Sequence, residues 1–217
     1  VFAVERAQET LYRLAKLRDE KMIDPTVPIF LDSPMAVEAT HIFMKHQECF
    51  DEETLESLRR SNGKLDNLEL LKTKDESKRL NTMSGPAIIM ASAGMCNAGR
   101  IKHHLANHIA SPKNTICFMG YQAEGTLGRI ILSGTSPVRI LGQMYPVRAE
   151  VAQVKGVSGH ADQNELLSWY RSIPQAPKTT FVVHGEPEAS QSLATKLREL
   201  EPQTTIYVPQ LGEVYKD

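Results

Sequence analysis

The sequence predicts an α/β fold with a mostly parallel sheet flanked by helices. Strand-like and helix-like segments alternate for nearly the whole 217 residues, which favours parallel pairing through helical crossovers. Several short apolar runs end on Asp, Gly or His just where a helix begins, the position at which such sheets hold ligands. No solenoid-length repeat or low-complexity stretch interrupts the pattern.

Each element has a local reason. In VERAQETLYRLAKLRDEKM, residues Ala7, Leu11, Leu14 and Ala15 recur at helical spacing. VPIFLD (27–32) is a short apolar run closed by Asp-Ser-Pro and reads as a buried strand. Pro34 suits the first turn of a helix running to about His46. DEETLESLRR (51–60) opens with acids that favour a helix N-terminus, and Asn62-Gly63 would end it. LELLKT then reads as a strand and KDESKRLNTM as a short helix.

The next two segments share one plan. In GPAIIMASAGMCNAGRIKHHLANHIA a strand (87–91) leads through a glycine-bearing loop (92–99) into a helix (100–110). NTICFMGYQAEGTLGRIILSG repeats strand, loop and helix, with Gly120 and Gly125 in the loop. VRILGQMYPVRAEVAQVKGVSG departs from it. Its β-rich runs flank Gly142 and Pro146, as in an antiparallel ribbon that hands one architectural unit over to another. ADQNELLSWYRSI is amphipathic, KTTFVVHG a strand, EPEASQSLATKLREL a helix, and TTIYVPQLGEVYK closes with short β segments.

Composition narrows the function classes. Hydrophobic residues at 41% and charged residues at 24% are those of an ordinary soluble globular protein. The net charge of −1 supplies no global field for nucleic acid, so any such binding needs a local patch. Three cysteines (Cys49, Cys96, Cys117) without a CxxC pair argue against a disulfide framework and a Cys-ligated zinc site. They fit a reducing, cytoplasmic location. No apolar run approaches the roughly 18–20 residues that span a bilayer, and no signal-peptide pattern is present, so a membrane is not an expected partner. The chain opens at Val1 on what reads as a strand end entering a helix, as expected of a piece of a longer protein.

Candidate chemistry lies in the strand-end loops. His160 follows a β run in GVSGHAD and precedes a helix. Ser158, Gly159 and the free N–H groups of that helix could face an anion, with His160 donating a proton to a leaving oxygen. The plain alternative is a surface histidine beside a cap made by Asp162. His184 closes the strand in FVVHGE, a rigid place for a metal ligand or base that Glu186 could orient. A hydrogen-bonded turn histidine is the alternative. Asp32, in IFLDSPMA, reads mainly as helix-entry chemistry, with Asp32 or Ser33 as N-cap. Gly94, Gly99, Gly120 and Gly125 would allow close approach of a phosphate–sugar backbone, with Arg100 and Arg129 as cations. Neither loop is GxGxxG or ends in GK[ST], so a nucleoside-triphosphate site is poorly supported. His104 and His108 share a helix face at i, i+4, but the Glu of a helical zinc motif is missing. With Lys102 beside them, the expectation is a solvated or RNA-facing basic helix.

The order of these pieces is more specific than any one of them. RAQETL, IFLDSPMA, IIMASAGMCNAGR, FMGYQAEGTLG, VSGHAD and VVHGE together resemble the β-CASP branch of the metallo-β-lactamase superfamily, a group of RNA-processing nucleases. The resemblance covers essentially the whole chain. It implies a β-CASP domain over residues 1–145 and, over 146–217, the returning C-terminal part of a metallo-β-lactamase αββα fold. It also implies a zinc-dependent ribonuclease that hydrolyses RNA phosphodiester bonds. His160 would be the acid at the scissile phosphate and His184 a ligand of the second of two zinc ions. Ser158, Gly94, Gly99, Arg100 and Gly125 would contact RNA or its phosphates. A homodimer is compatible with this picture.

One departure matters. The family's main metal motif, H-x-H-x-D-H, does not occur in these residues, because His103 and His104 are adjacent. These 217 residues alone are therefore expected to bind no zinc pair and to cleave nothing. The rival reading is a non-catalytic RNA-binding module or pseudo-enzyme subunit. A nucleotide- or small-molecule-binding α/β protein is a further rival that the glycine loops fit poorly.

Overall fold

A computed structural model describes residues 1–60, 65 and 67–215. The helix end expected at Asn62-Gly63 lies outside the described residues. Contact density divides the chain into two compact units, Val1–Val157 and Ser158–Asp217.

The first unit is α/β. Its elements run α1 (Arg6–Asp19), β1 (Ile29–Asp32), α2 (Pro34–Lys45), α3 (Glu52–Arg60), β2 (Leu68–Leu70), α4 (Lys74–Arg79), β3 (Ile88–Ala91), α5 (Ile101–His108), β4 (Thr115–Met119), α6 (Leu127–Leu132), β5 (Val138–Ile140), β6 (Gln143–Tyr145) and β7 (Glu150–Val154). Parallel pairing dominates, but over several small sheets. Strands β2-β1-β3 form a three-stranded parallel sheet and β4-β7 a parallel pair.

Strand β1 is central, and all four of its residues are buried. Its alternation serves two faces. Ile29 and Leu31 pack with Ala7 and Leu11 of α1, Ala36 and Val37 of α2, and Met90 of β3. Phe30 points the other way, onto Leu71 and Leu80. Each buried Leu, Ile, Val, Phe or Met among them contributes on the order of 1.5–3 kcal/mol relative to exposure. Ser33, rather than Asp32, caps α2: its hydroxyl accepts the Ala36 N–H, with Pro34 following. The cap thus frees the Asp32 carboxylate for other use.

The ribbon expected near Gly134 to Val157 is a hairpin followed by a crossover. Strands β5 and β6 are antiparallel and joined at Leu141-Gly142, both with positive φ (49° and 87°), as a two-residue type I′ turn requires. Strand β7 does not continue the hairpin. It runs parallel to β4, pairing Thr115 with Glu150 and Met119 with Val154, so residues 150–154 pack with the first unit. Leu105 and Ile109 from the α5 segment, Phe118, Ile131, Val138 and Ile140 form the core beneath.

The second unit holds α7 (Gln163–Arg171), β8 (Thr179–Phe181), α8 (Pro187–Leu200) and β9 (Thr205–Tyr207), with β8 and β9 parallel. Tyr170, Val182, Ala194, Leu197 and Ile206 make its core, and the Tyr170 hydroxyl meets Thr180 Oγ1 at 2.9 Å. Beside them Phe181, Tyr207 and Tyr215 cluster ring on ring, with centroids 4.4–5.5 Å apart. Phe181 remains 46% exposed. Among the described residues no helix is long and apolar enough to cross a membrane.

Candidate functional site

The most developed polar cluster of the first unit is built on Asp32. Its carboxylate closes β1 and is fully buried. Three donors converge on it: Arg100 Nη1 at 2.6 Å from Oδ1, His104 Nε2 at 2.6 Å from Oδ2, and Ser77 Oγ, which donates to Oδ2 at 2.5 Å. Burial works against the charged carboxylate, but the hydrogen bonds from His104, Ser77 and Arg100 outweigh it and hold its pKa below the ordinary aspartate value. Asp32 is therefore the anionic centre of a network, where helix-entry chemistry was the main expectation.

Arg100 is placed otherwise than the sequence reading supposed. Beyond Asp32, its Nη1 donates to the Leu71 carbonyl at 3.2 Å and its Nη2 to the Lys72 carbonyl at 2.7 Å. The guanidinium spans the ends of β1 and β2. His104 also departs from the expected solvated face: it is buried, and its ring lies 6.4 Å from that of His108 with planes 14° apart. Burial, and then the neighbouring His104, push the His108 pKa down.

The two glycine loops lie side by side. Gln122, fully buried, donates from Nε2 to the Gly94 carbonyl at 3.1 Å; Leu127 N–H donates to Asn97 Oδ1 at 3.0 Å and Gly128 N–H to the Met95 carbonyl at 3.0 Å. Gln122 was no part of the sequence reading. A glutamine in a glycine-rich loop looks exposed until the partner loop is in place. The glycines serve this packing. A Cβ on Gly94 would lie 2.7 Å from the Phe2 ring, and one on Gly99 (φ +78°) would strike the Ser92 carbonyl and come within 2.8 Å of Ala93 N. Gly125 is different, with φ +75° and open space where a side chain would project. Arg129 Nη1 reaches the Gln122 carbonyl at 3.4 Å.

His160 and His184 both lie in the second unit and both are exposed. His160 sits before α7, its N–H bonded to Ser158 Oγ at 3.1 Å. The α7 N-terminus is closed by a capping box: Asp162 accepts the Glu165 N–H and Glu165 accepts the Asp162 N–H. Two carboxylates thus occupy the place where free N–H groups could have met an anion. Ser158 keeps its exposed position beside His160. His184 follows β8 at a left-handed φ of 65°, rare for a residue with a side chain. Gly185 next to it packs on Ser190 of α8, where a Cβ would meet Ser190 Oγ.

Among the described residues no three His, Cys, Asp or Glu side chains are grouped to hold a metal ion. His104 and His108 have a buried ring nitrogen each without a hydrogen-bond partner among the described residues, but no third ligand joins them. Among the described residues all three cysteines are free.

Comparison with known proteins identifies the family. Residues 7–131 match the model of the Beta-Casp domain, and residues 144–209 match that of the Zn-dependent metallo-hydrolase RNA specificity domain. The Ribonuclease TTHA0252 of Thermus thermophilus is 39% identical over 198 residues, 90% of this chain and 44% of that protein. A Transcription termination factor FttA of Pyrococcus abyssi is 34% identical over 203 residues, 90% of this chain and 31% of that protein. An RNase J-like protein of Methanocaldococcus jannaschii is 32% identical over 200 residues, 89% and 44% respectively. The chain spans less than half the length of these relatives. With residues 7–131, more than half of the chain, matched by that model, the chain belongs to the Beta-Casp family.

Proposed function

We propose that this chain is part of a ribonuclease that acts in RNA processing or decay through zinc-dependent hydrolysis of phosphodiester bonds. The observation that carries the proposal is the placement of His160 and His184. Both are exposed in loops that open directly into helices α7 and α8, within the segment matching an RNA specificity domain. His160 takes the role of proton donor to the departing oxygen, a task for which a positioned imidazole is the commonest choice. His184 takes the role of one metal ligand, held at a fixed angle by its own backbone and by the Gly185–Ser190 contact. Ser158 stands beside His160 as a phosphate contact, and Gly125 leaves open backbone on the first unit. A cytoplasmic location belongs to the same proposal, supported by the free thiols.

No ligand set for a metal is grouped among the described residues. The 217-residue chain alone is therefore proposed to bind RNA without cutting it. The test incubates the purified chain with labelled single-stranded RNA and added zinc. Intact RNA with measurable binding is the expected result. Metal-dependent cleavage by this chain would overturn the inactive-alone reading. Absence of RNA binding at every salt concentration would overturn the RNA-directed one. In a longer form that cleaves RNA, His160→Gln should lower kcat by about 10²–10⁴-fold, the usual worth of a positioned acid, while leaving RNA affinity nearly unchanged.

A further inference from the structure

We infer that Asp32, Arg100 and His104 form a positioning network for the 92–99 loop, and that Arg100 affects RNA binding through this loop without touching a phosphate. The RNA clause rests on the proposed function; the network itself does not.

The first support is where Asp32 stands. In the β1–β3 register it pairs with Ala91, the last residue before the loop. Arg100 is the first residue after the loop, and its side chain returns to Asp32. The loop is thus anchored at its entrance through the sheet and at its exit through an ion pair. Between them the Ile101 N–H donates to the Ser92 carbonyl at 3.2 Å, closing the mouth, and Gly99 has no side chain to obstruct that carbonyl. His104, one turn along α5, adds a second grip on the same carboxylate, so the helix cannot rotate without breaking both.

The second support is what Arg100 has left to give. Its Nη1 and Nη2 serve one carboxylate and two carbonyls, and its side chain is only 18% exposed. A phosphate would have to displace a fully buried carboxylate to claim the guanidinium. The third support is what the loop holds in turn. The Gly94 and Met95 carbonyls and the Asn97 side chain receive Gln122 of the next glycine loop and Gly128 and Leu127 at the start of α6. A displacement at Arg100 therefore passes to the loop bearing Gly125.

The test measures anisotropy of a fluorescein-labelled single-stranded oligoadenylate across a salt series, with wild-type chain, Arg100→Leu, Asp32→Ala and the pair together. The expected result is that each single change weakens binding severalfold, the pair weakens it no more than the worse single, and the log–log salt slope stays at the wild-type value. A slope reduced by about one in Arg100→Leu, with Asp32→Ala unaffected, would make Arg100 a phosphate contact and overturn the inference. Additive losses would overturn it too. If the single variants do not fold, Asp32→Ala/Ser77→Ala/Arg100→Leu/His104→Leu replaces the whole buried network with apolar groups, a change such sites tolerate. It should keep the wild-type slope, and a slope reduced by one would refute the idea. If the wild-type chain binds no RNA, the proposed function fails. The network is then judged by hydrogen exchange: Asp32→Ala should speed exchange of the Ile101, Leu127 and Gly128 amides, and unchanged rates would refute it.

Discussion

Replacing Asp32 with Asn removes one negative charge and almost no volume. The amide keeps an oxygen for Arg100 but turns an NH2 toward two former donors, the Ser77 hydroxyl and His104 Nε2. Breaking a buried pair from one side costs about 3–5 kcal/mol, because the remaining charge is left uncompensated. Arg100 retains two carbonyl acceptors and slight exposure, so the expected loss at pH 7 is about 2–4 kcal/mol. The sign with pH follows from the depressed pKa of Asp32. The charged carboxylate stabilises the fold above its unfolded-state value of 3.8, and that contribution is lost as pH falls through the lower folded-state value. The gap between wild type and variant should therefore narrow in strong acid. Urea unfolding followed by far-ultraviolet circular dichroism measures it. Trp169, the chain's single tryptophan, lies in the second unit and supplies an internal control by fluorescence, which the substitution should leave in place. A loss under about 0.5 kcal/mol at pH 7, the range of an ordinary surface change, would refute the view that this carboxylate anchors the first unit.

Other expectations are equally open to measurement. Gly99→Ala should destabilise by about 2–3 kcal/mol, because both its positive φ and the Ser92 carbonyl stand against a Cβ; thermal unfolding reads the effect. Leu141→Asn should stabilise by about 0.5–1 kcal/mol, since Leu141 sits at φ 49° with half its surface exposed and Asn tolerates that conformation better; a lowered melting temperature would contradict this. His108 has a folded-state pKa pushed below 6.5, so the fold prefers its neutral form and loses stability as pH falls below that value. His108→Gln should flatten the decline in urea midpoint between pH 7.5 and 5.5 by removing one half-buried titrating group; an unchanged slope would mean that the ring charges without cost.

Local features were readable from the sequence, and distant pairings were not. The start of α2 follows from Ser33 and Pro34, and that of α7 from Asp162, because caps are settled within four residues. The positions of His160 and His184 between a β run and a helix were legible for the same reason, since glycine and a strand end announce them; their exposure was not. The destination of the Asp32 side chain was not. Its partners lie 45, 68 and 72 residues away, and only the β2-β1-β3 order brings them together. The shared face of His104 and His108 was evident from their spacing, yet Lys102 and His103 beside them suggested solvent. Which face turns inward is decided by a buried carboxylate that no helical periodicity reveals. In the same way β7 reads as a β run, but its pairing with β4 across 35 residues depends on the crossover rather than on composition.

The ring cluster of Phe181, Tyr207 and Tyr215 sets how the second unit should be handled at the bench. Two short parallel strands leave main-chain groups along their margins, and here they carry an aromatic surface that water meets directly, with Val183 and Leu211 also strongly exposed. Such a surface adheres to its own kind as concentration rises. A preparation of residues 158–217 should scatter light increasingly above a threshold concentration, and Phe181→Ser should raise that threshold.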